Sequence, residues 1–502
     1  MSDLLKIVKE SMIRFGGSLL ACGLSYVLLM VITRFLTPSE YGTFVLAQSI
    51  TSLSLLFVLV GTPKTLERFI PFYNAAGEIG KAKTLVNRVL RNAVLVSLIV
   101  ASGLFLLSGP ASRTIFKDPA LAPVLRIMVL AVPTLATIEL VSAVFAGFKE
   151  LRYAVYVQQL AVPTLRIALA IAAFLAGYRL LGWTWMYVAS LAAGAALALW
   201  FFRKHVTRRL SGIPGTRVSL REILCFSWPL SIQGVVVICV GQVGFLFLGY
   251  FRPTAELGTF RIYVALAALL SLVLHSVAQI HKPVISGLIS TGRIHEVRET
   301  YRRVTKWIFL ANALGLLVLV LFGARIASLL FTERYLGTPF VLLILAVGHF
   351  VTSSFGPRGT TLEAFGNTRL VMINSLIWLG SCVGLCAVLV PRYGITGAAV
   401  ASAASATLGG LAGLIEVYVF HGIQPFDMRY ARIVSVTLAT GCVAYVLDSL
   451  LRGAGAGALL GLVLLTAVVY VLGLHTSRCL DSVDREVFDR IRARITATGK
   501  ME

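Results

Sequence analysis

Residues 37–44 read TPSEYGTF, and residues 252–260 read RPTAELGTF. Each copy closes a long apolar run. Each is followed by another apolar stretch, a proline, a Gly-Lys or Gly-Arg pair and a basic segment. Pro71, Gly80, Lys81 and Arg91 match Pro283, Gly292, Arg293 and Arg303, and YRLLG at 178–182 answers YGITG at 393–397. The two registers lie about 215 positions apart, too long for a solenoid unit and the size of a helix bundle; two-fold internal repeats are common in membrane transporters. Within the signature, Glu40 and Glu256 are expected to cap the helices that follow, and Gly42 and Gly258 to let helices approach closely. Neither copy is expected to bind substrate.

Composition fixes the class. Of the 502 residues 58% are hydrophobic and 13% charged, against about 25% charged in soluble domains, and mean hydropathy is +0.87. Apolar stretches of about 20 residues recur throughout, each long enough to cross a hydrocarbon core of roughly 30 Å. The expected fold is all-α: a polytopic membrane protein of about fourteen transmembrane helices, in two pseudo-symmetric six-helix lobes plus two C-terminal helices. The expected organisation is an N-lobe over 1–215, a C-lobe over 216–425, an extra helix pair over 426–475 and a cytoplasmic amphipathic tail over 476–502. In that tail Leu480, Val483, Val487, Phe488 and Ile491 share one helical face. No cleavable signal peptide is evident, because the polar MSDLLKIVKE leads straight into a span.

The net charge of +23 is distributed by topology. Lys and Arg concentrate on alternate connections, so the positive-inside rule puts both termini in the cytoplasm of a multi-pass protein of the cell (inner) membrane. The basic surplus then faces anionic lipid heads and not nucleic acid. Cys22, Cys225, Cys239, Cys382, Cys386 and Cys442 fall within apolar spans and imply no disulfide framework; Cys382 and Cys386, one turn apart, read as packing residues. No metal or cofactor is expected. GEIGKAK at 77–83 lacks the upstream glycine and the hydroxyl of a phosphate-binding loop, GAGAG at 453–457 reads as a turn, and the connections on the far side are short, so no catalytic domain is expected.

Charges inside spans are costly and mark function by default. Arg166 is the deepest cation, and Glu139 in the preceding span is its expected partner. Arg261 lies about two turns into the eighth span. Arg68, Glu67 and Lys64 cluster at the end of the second, Arg358 and Glu363 close the tenth, and Arg14 and Arg34 bracket the first. The candidate cationic cavity is thus Arg166, Arg261, Arg68, Arg14, Arg34 and Arg358, with Glu139, Glu67 and Glu363 as acidic partners. Such a wall suits an anionic ligand, because arginine bonds phosphate oxygens in bidentate fashion. Arg126 reads as a snorkelling residue. His275, His281 and His349 are candidates for sensing protons, against a plain packing role. Pro133 and Pro163, in matching AVPTL contexts, are expected to kink their helices. A stripe of Gly397, Ala401, Ser405, Gly409 and Gly413, echoed by Gly182, Ser190, Gly194 and Ala198, reads as helix packing.

TPSEYGTFVLAQSI at 37–50 and RFIPFYNAAGEIGKAKTLVNRVLR at 68–91 resemble the start of the polysaccharide-biosynthesis flippases, the polysaccharide-transporter branch of the multidrug/oligosaccharidyl-lipid/polysaccharide exporter superfamily. The resemblance implies a flippase that moves an undecaprenyl- or similar isoprenoid-diphosphate-linked oligosaccharide from the inner to the outer leaflet. It implies rocking of two lobes about a positively charged lumen, with a polymerase and glycosyltransferases as neighbours in the pathway. Arg166 and Arg261, with Arg68 nearer the mouth, are its carry-over candidates. A peptidoglycan lipid II flippase shares the plan. A cation-coupled multidrug antiporter would want an acid deep in the first span, where 11–34 has none. A membrane glycosyltransferase or polymerase would need catalytic acids and a substantial outer loop.

Overall fold

A computed structural model describes the backbone of residues 2–216, 220–450, 456–477 and 479, and the side chains of these except 2–15 and 220–231. The side chain of Arg14 and the proposed amphipathic face at 480–491 therefore lie outside the described residues, as do residues 453–455 of the GAGAG segment. Thirteen helices among the described residues are long and apolar enough to cross a membrane. They are α1 (Gly16–Phe35), α2 (Pro38–Leu59), α3 (Ile79–Ile115), α4 (Leu121–Gly147), α5 (Leu151–Leu175), α6 (Leu180–Leu210), α7 (Ile232–Phe251), α8 (Thr254–Ser290), α9 (Ile294–Leu330), α10 (Pro339–Ala364), α11 (Thr368–His421), α12 (Met428–Leu450) and α13 (Ala456–Thr476). The 54 residues of α11 would extend about 80 Å, far beyond one hydrocarbon core. Gly394, at φ 54° and ψ −129°, breaks it. Counted as two crossings, α11 brings the total to the fourteen read from the sequence.

Two groups of helices pack internally. In the first, α4 touches α2, α3 and α6, and α5 lies between α1 and α6; in the second, α7 packs along α11, while α8, α9 and α10 pack on one another. Helices α12 and α13 pair and lean on α9, where Arg325 of α9 meets Asp448 of α12 in an ion pair. The prolines act as expected. Helix α4 is interrupted at Val129–Leu130, just before Pro133, and a π-helical turn over Tyr156–Ala161 precedes Pro163 in α5. A proline deprives the helix of one N–H and crowds the carbonyl four residues earlier, and both distortions fall at that position.

The two groups meet along α2 and α8, the helices that begin in the doubled signature. A Cβ on Gly42 would collide with the carbonyl of Thr254, and one on Gly258 would collide with the carbonyl of Pro38. Each signature glycine therefore admits the backbone at the equivalent position of the other copy. Ser39 Oγ and Thr254 Oγ1, 3.0 Å apart, join the same crossing, and Leu46 of α2 fills the space over Gly249 of α7. At this end Thr332 Oγ1 also donates to the Thr33 carbonyl (2.8 Å), and the Tyr335 hydroxyl to the Leu36 carbonyl (3.0 Å).

The copies differ in how they begin. Thr37 and Glu40 form a reciprocal capping box at the start of α2, as expected for Glu40. The matching expectation for Glu256 is corrected. Pro253 stands where the first copy has Thr37; it has neither a hydroxyl nor an N–H, so no box forms. The Glu256 carboxylate instead accepts from the Ile395 N–H (3.1 Å), just past the Gly394 break, and Arg252 donates to the carbonyls of Pro391 and Arg392. A second difference lies at the far end of α2, where Val60 and Gly61 in left-handed conformations separate it from a further helix, Thr62–Ala75; α8 runs through the matching stretch unbroken.

Because each signature glycine faces a backbone carbonyl that no rotamer change can move, Gly42→Ala and Gly258→Ala are each expected to destabilise the protein by about 1–3 kcal/mol through overpacking. Thermal unfolding in detergent measures it, with Gly103→Ala, whose added Cβ meets open space, as the neutral control.

Candidate functional site

The two deepest expected cations come from opposite groups of helices, each with neutral partners on its own side. Arg166 of α5 donates from Nε to Ser190 Oγ of α6 (3.1 Å), and its guanidinium lies 4.3 Å from the centre of the Tyr187 ring. The Tyr187 hydroxyl accepts from Gln48 Nε2 of α2 (3.1 Å). Phe44 of α2 lies between Tyr187 and Tyr41, with ring centres 5.1 and 6.5 Å away, and Tyr41 is within electrostatic reach of Arg261 of α8. Arg261 also lies 5.6 Å from the Phe245 ring. The contacts Ser190–Arg166–Tyr187–Phe44–Tyr41 thus run from α5 and α6 to α2, with Arg261 of α8 beyond Tyr41.

Local sequence explains the arrangement. Tyr41 sits one turn into α2, at the position held by Leu257 in the second copy, so only the first copy offers a hydroxyl to the α8 cation. Tyr187 and Ser190 are three residues apart on α6 and present a ring and a hydroxyl to one guanidinium. Tyr41 and Tyr187 are buried, whereas Arg166 and Arg261 are half-buried. Among the described residues neither arginine forms an ion pair. Arg166 meets a serine oxygen and a ring face and Arg261 a ring face, which leaves each several donors for an anion.

The expected Arg166–Glu139 pair is not formed. Glu139 is exposed on α4, is approached by Gln158 Nε2 (3.4 Å) and lies within electrostatic reach of Glu67. A shared depth did not put the two side chains on facing sides of their helices. Glu67 pairs with Lys64 (2.8 Å), and Arg68 is exposed on the same short helix, at the end of α2 remote from Tyr41. Arg358 donates to the Thr352 carbonyl (3.0 Å) and lies against Phe355, Gly410 and Gly413, inside the second group's own packing. There the glycine stripe makes room for an arginine as well as for a helix. Glu363 pairs with Lys282 of α8 (2.6 Å) and accepts from Gln233 (3.4 Å). Arg34 is exposed at the end of α1, in a groove shared with Thr332, Glu333 and Arg334. Arg126 points its Nε at Ser108 (3.4 Å).

Sequence reasoning missed Tyr41, Gln48, Tyr187, Ser190, Lys282 and the Arg325–Asp448 pair. Gln48, an amide inside an apolar helix, and Asp448, the acid of α12, carried the detectable signal. Tyr187 and Ser190 carried none, because a tyrosine or serine in a span is unremarkable until a cation faces it.

A model of the family described as polysaccharide biosynthesis protein matches residues 7–289. The chain is 22% identical over 434 residues to the capsular polysaccharide biosynthesis protein CapF of Staphylococcus aureus, covering 83% of this chain and 99% of CapF. Among solved structures it resembles the lipid II flippase MurJ in an inward closed conformation, with TM-score 0.73 and 14% identity over 93% of this chain and 98% of that one. It also resembles an inward-facing multidrug resistance MATE family transporter of the MOP superfamily, with TM-score 0.64 and 14% identity over 80% and 94% of the two chains. At these identities the structural likeness speaks for the fold.

If the Tyr187 ring is the platform for Arg166, Tyr187→Phe is expected to stay within about 1.5 kcal/mol of wild type, losing one hydrogen bond. Tyr187→Ala is expected to cost about 3–5 kcal/mol, as for other buried aromatics. Thermal unfolding of the purified variants checks the ranking.

Proposed function

The chain belongs to the polysaccharide biosynthesis protein family, and we propose that it is a flippase carrying an isoprenoid-diphosphate-linked oligosaccharide from the inner to the outer leaflet. The observation that supports this reading is that Arg166 and Arg261, one in a span of each helix group, both have neutral partners and no carboxylate. Two guanidiniums without carboxylates form a clamp for a diphosphate, and one that spans the junction senses how the groups sit relative to each other. The lobes are 1–215 and 216–425, with 426–475 an added pair and 476–502 a cytoplasmic tail. Rocking about the signature crossing exposes the clamp to one leaflet and then the other, while the lipid tail stays in the bilayer. No bond in the substrate is made or broken.

Orientation follows from charge. The basic segments around Lys81–Arg91, Arg203–Arg209 and Arg293–Arg303 all lie at the end opposite the signature. That end is cytoplasmic and the signature faces outward, with both termini inside. A headgroup of about −2 moving outward through an inside-negative potential gains roughly 4–5 kcal/mol per 100 mV, from about 2.3 per charge. Transport then needs no ATP. The absence of any acid in α1 speaks against a cation-coupled multidrug antiporter.

Arg166→Ala is expected to abolish complementation of a flippase-deficient strain at unchanged protein level, and Arg166→Lys to restore it in part, keeping charge but losing the two-pronged geometry. Undiminished export by Arg166→Ala would sink this reading of the clamp.

A further inference from the structure

Helix α8 carries a polar stripe that the arginine clamp does not use. Arg261, His275, Gln279 and Lys282 recur at helical spacing on one side. Arg261 is half-buried and the other three are exposed. From Arg261 to Lys282 the stripe runs about 32 Å, the thickness of a hydrocarbon core. Two of its cations are permanent: Arg261 at the signature end, and Lys282, held by Glu363, at the other. Between them stands an imidazole, the one side chain of the stripe whose charge changes near neutral pH.

His275 is not alone. One turn away, on the flank of the stripe, Ser271 Oγ lies 2.8 Å from His349 Nδ1 of α10, and His349 and His275 are within electrostatic reach of each other. Two imidazoles this close in a membrane interior do not both carry charge, since like charges in a poorly solvated site oppose each other. The pair holds one proton or none. The half-buried His349 is anchored by Ser271, and His275 is the exposed member of the pair.

The surroundings leave this proton uncompensated. On α8 the nearest charges are Arg261 and the Lys282–Glu363 pair. On α10 they are Arg358 and Glu363, well along the helix. On α9 Lys306 lies one turn from Phe309, which packs on Phe350 beside His349. The second half of α11, whose Ala403 touches Gly348, has no titratable side chain from 395 to 415. Among the described residues no carboxylate contacts either imidazole, so an anion on the stripe is what would hold the proton in place.

We propose that His275, backed by Ser271 and His349, is a one-proton site whose occupancy is linked to that of a phosphate-bearing headgroup passing along α8. Binding of the anion favours the proton and the proton favours the anion, by thermodynamic reciprocity. A proton on His275 adds a cation midway between Arg261 and the Lys282–Glu363 pair, and its loss removes that cation. The linkage rests on the flippase reading, because it takes an isoprenoid diphosphate as the anion.

The test is the affinity of the full-length protein in lipid nanodiscs for farnesyl diphosphate, measured by calorimetry between pH 8 and pH 5.5. Wild type and H275Q are expected to bind equally at pH 8, where the imidazole is neutral. The wild type is expected to gain about fivefold or more over H275Q at the acid end, the probe's own titration being common to both. H349Q is expected to match wild type at pH 8 and to move the midpoint of the profile. Parallel wild-type and H275Q profiles would overturn the proton site while leaving the flippase reading intact. An unmoved H349Q midpoint would remove His349 from it. A wild type that binds no probe at any pH would overturn the substrate reading and the linkage with it.

Discussion

Everything in this molecule hangs on two helix backbones being able to touch. At the α2–α8 crossing, Gly42 lies against the Thr254 carbonyl and Gly258 against the Pro38 carbonyl. In a bilayer, lipid tails compete on equal terms with apolar side chains, so helix association depends on close van der Waals packing and on polar contacts such as that of Ser39 with Thr254. Only a residue without a side chain permits this approach at both positions. The crossing sets the separation of the two helix groups, and with it whether Tyr41 can reach from α2 to Arg261 on α8.

The duplication is used asymmetrically. Replacing the first copy's Thr37 by Pro253 removes the partner of a capping box, and the released Glu256 braces the break of α11 at Gly394 together with Arg252. Replacing Leu257 by Tyr41 puts a hydroxyl on one helix of the pair only. Two equivalent starts thus do different work: the first copy closes its own helix and contributes to the cation cluster, while the second ties α8 to the fold of its own group.

In-span charges sort into two classes by partner. Arg325 with Asp448 and Lys282 with Glu363 are paired, and each ties two neighbouring helices together. Arg166 is held by a serine and a ring face, and Arg261 lies against a ring face. Neutral partners position a guanidinium without neutralising it. A carboxylate in the place of Ser190 would hold Arg166 more strongly and leave less charge for a ligand. The polar stripe of α8 extends the same logic along the membrane normal.

The sequence alone determined the class, the number of crossings and the repeat, because hydrophobic length, proline position and a 216-residue echo between Glu40 and Glu256 are local or periodic properties of the chain. It also marked Arg166 and Arg261, since a cation deep in an apolar run stands out without any knowledge of neighbours. It misjudged partners. Glu139 shares a neighbouring helix with Arg166 but not a facing side, and Arg358 points into a glycine-lined slot. Tyr41, Tyr187 and Ser190 acquire their roles only through helices brought together from 21 to 220 positions away in the chain. Depth in the membrane is written along one helix. Which face meets which depends on the rotation and crossing of several helices at once, and only the tertiary structure decides that.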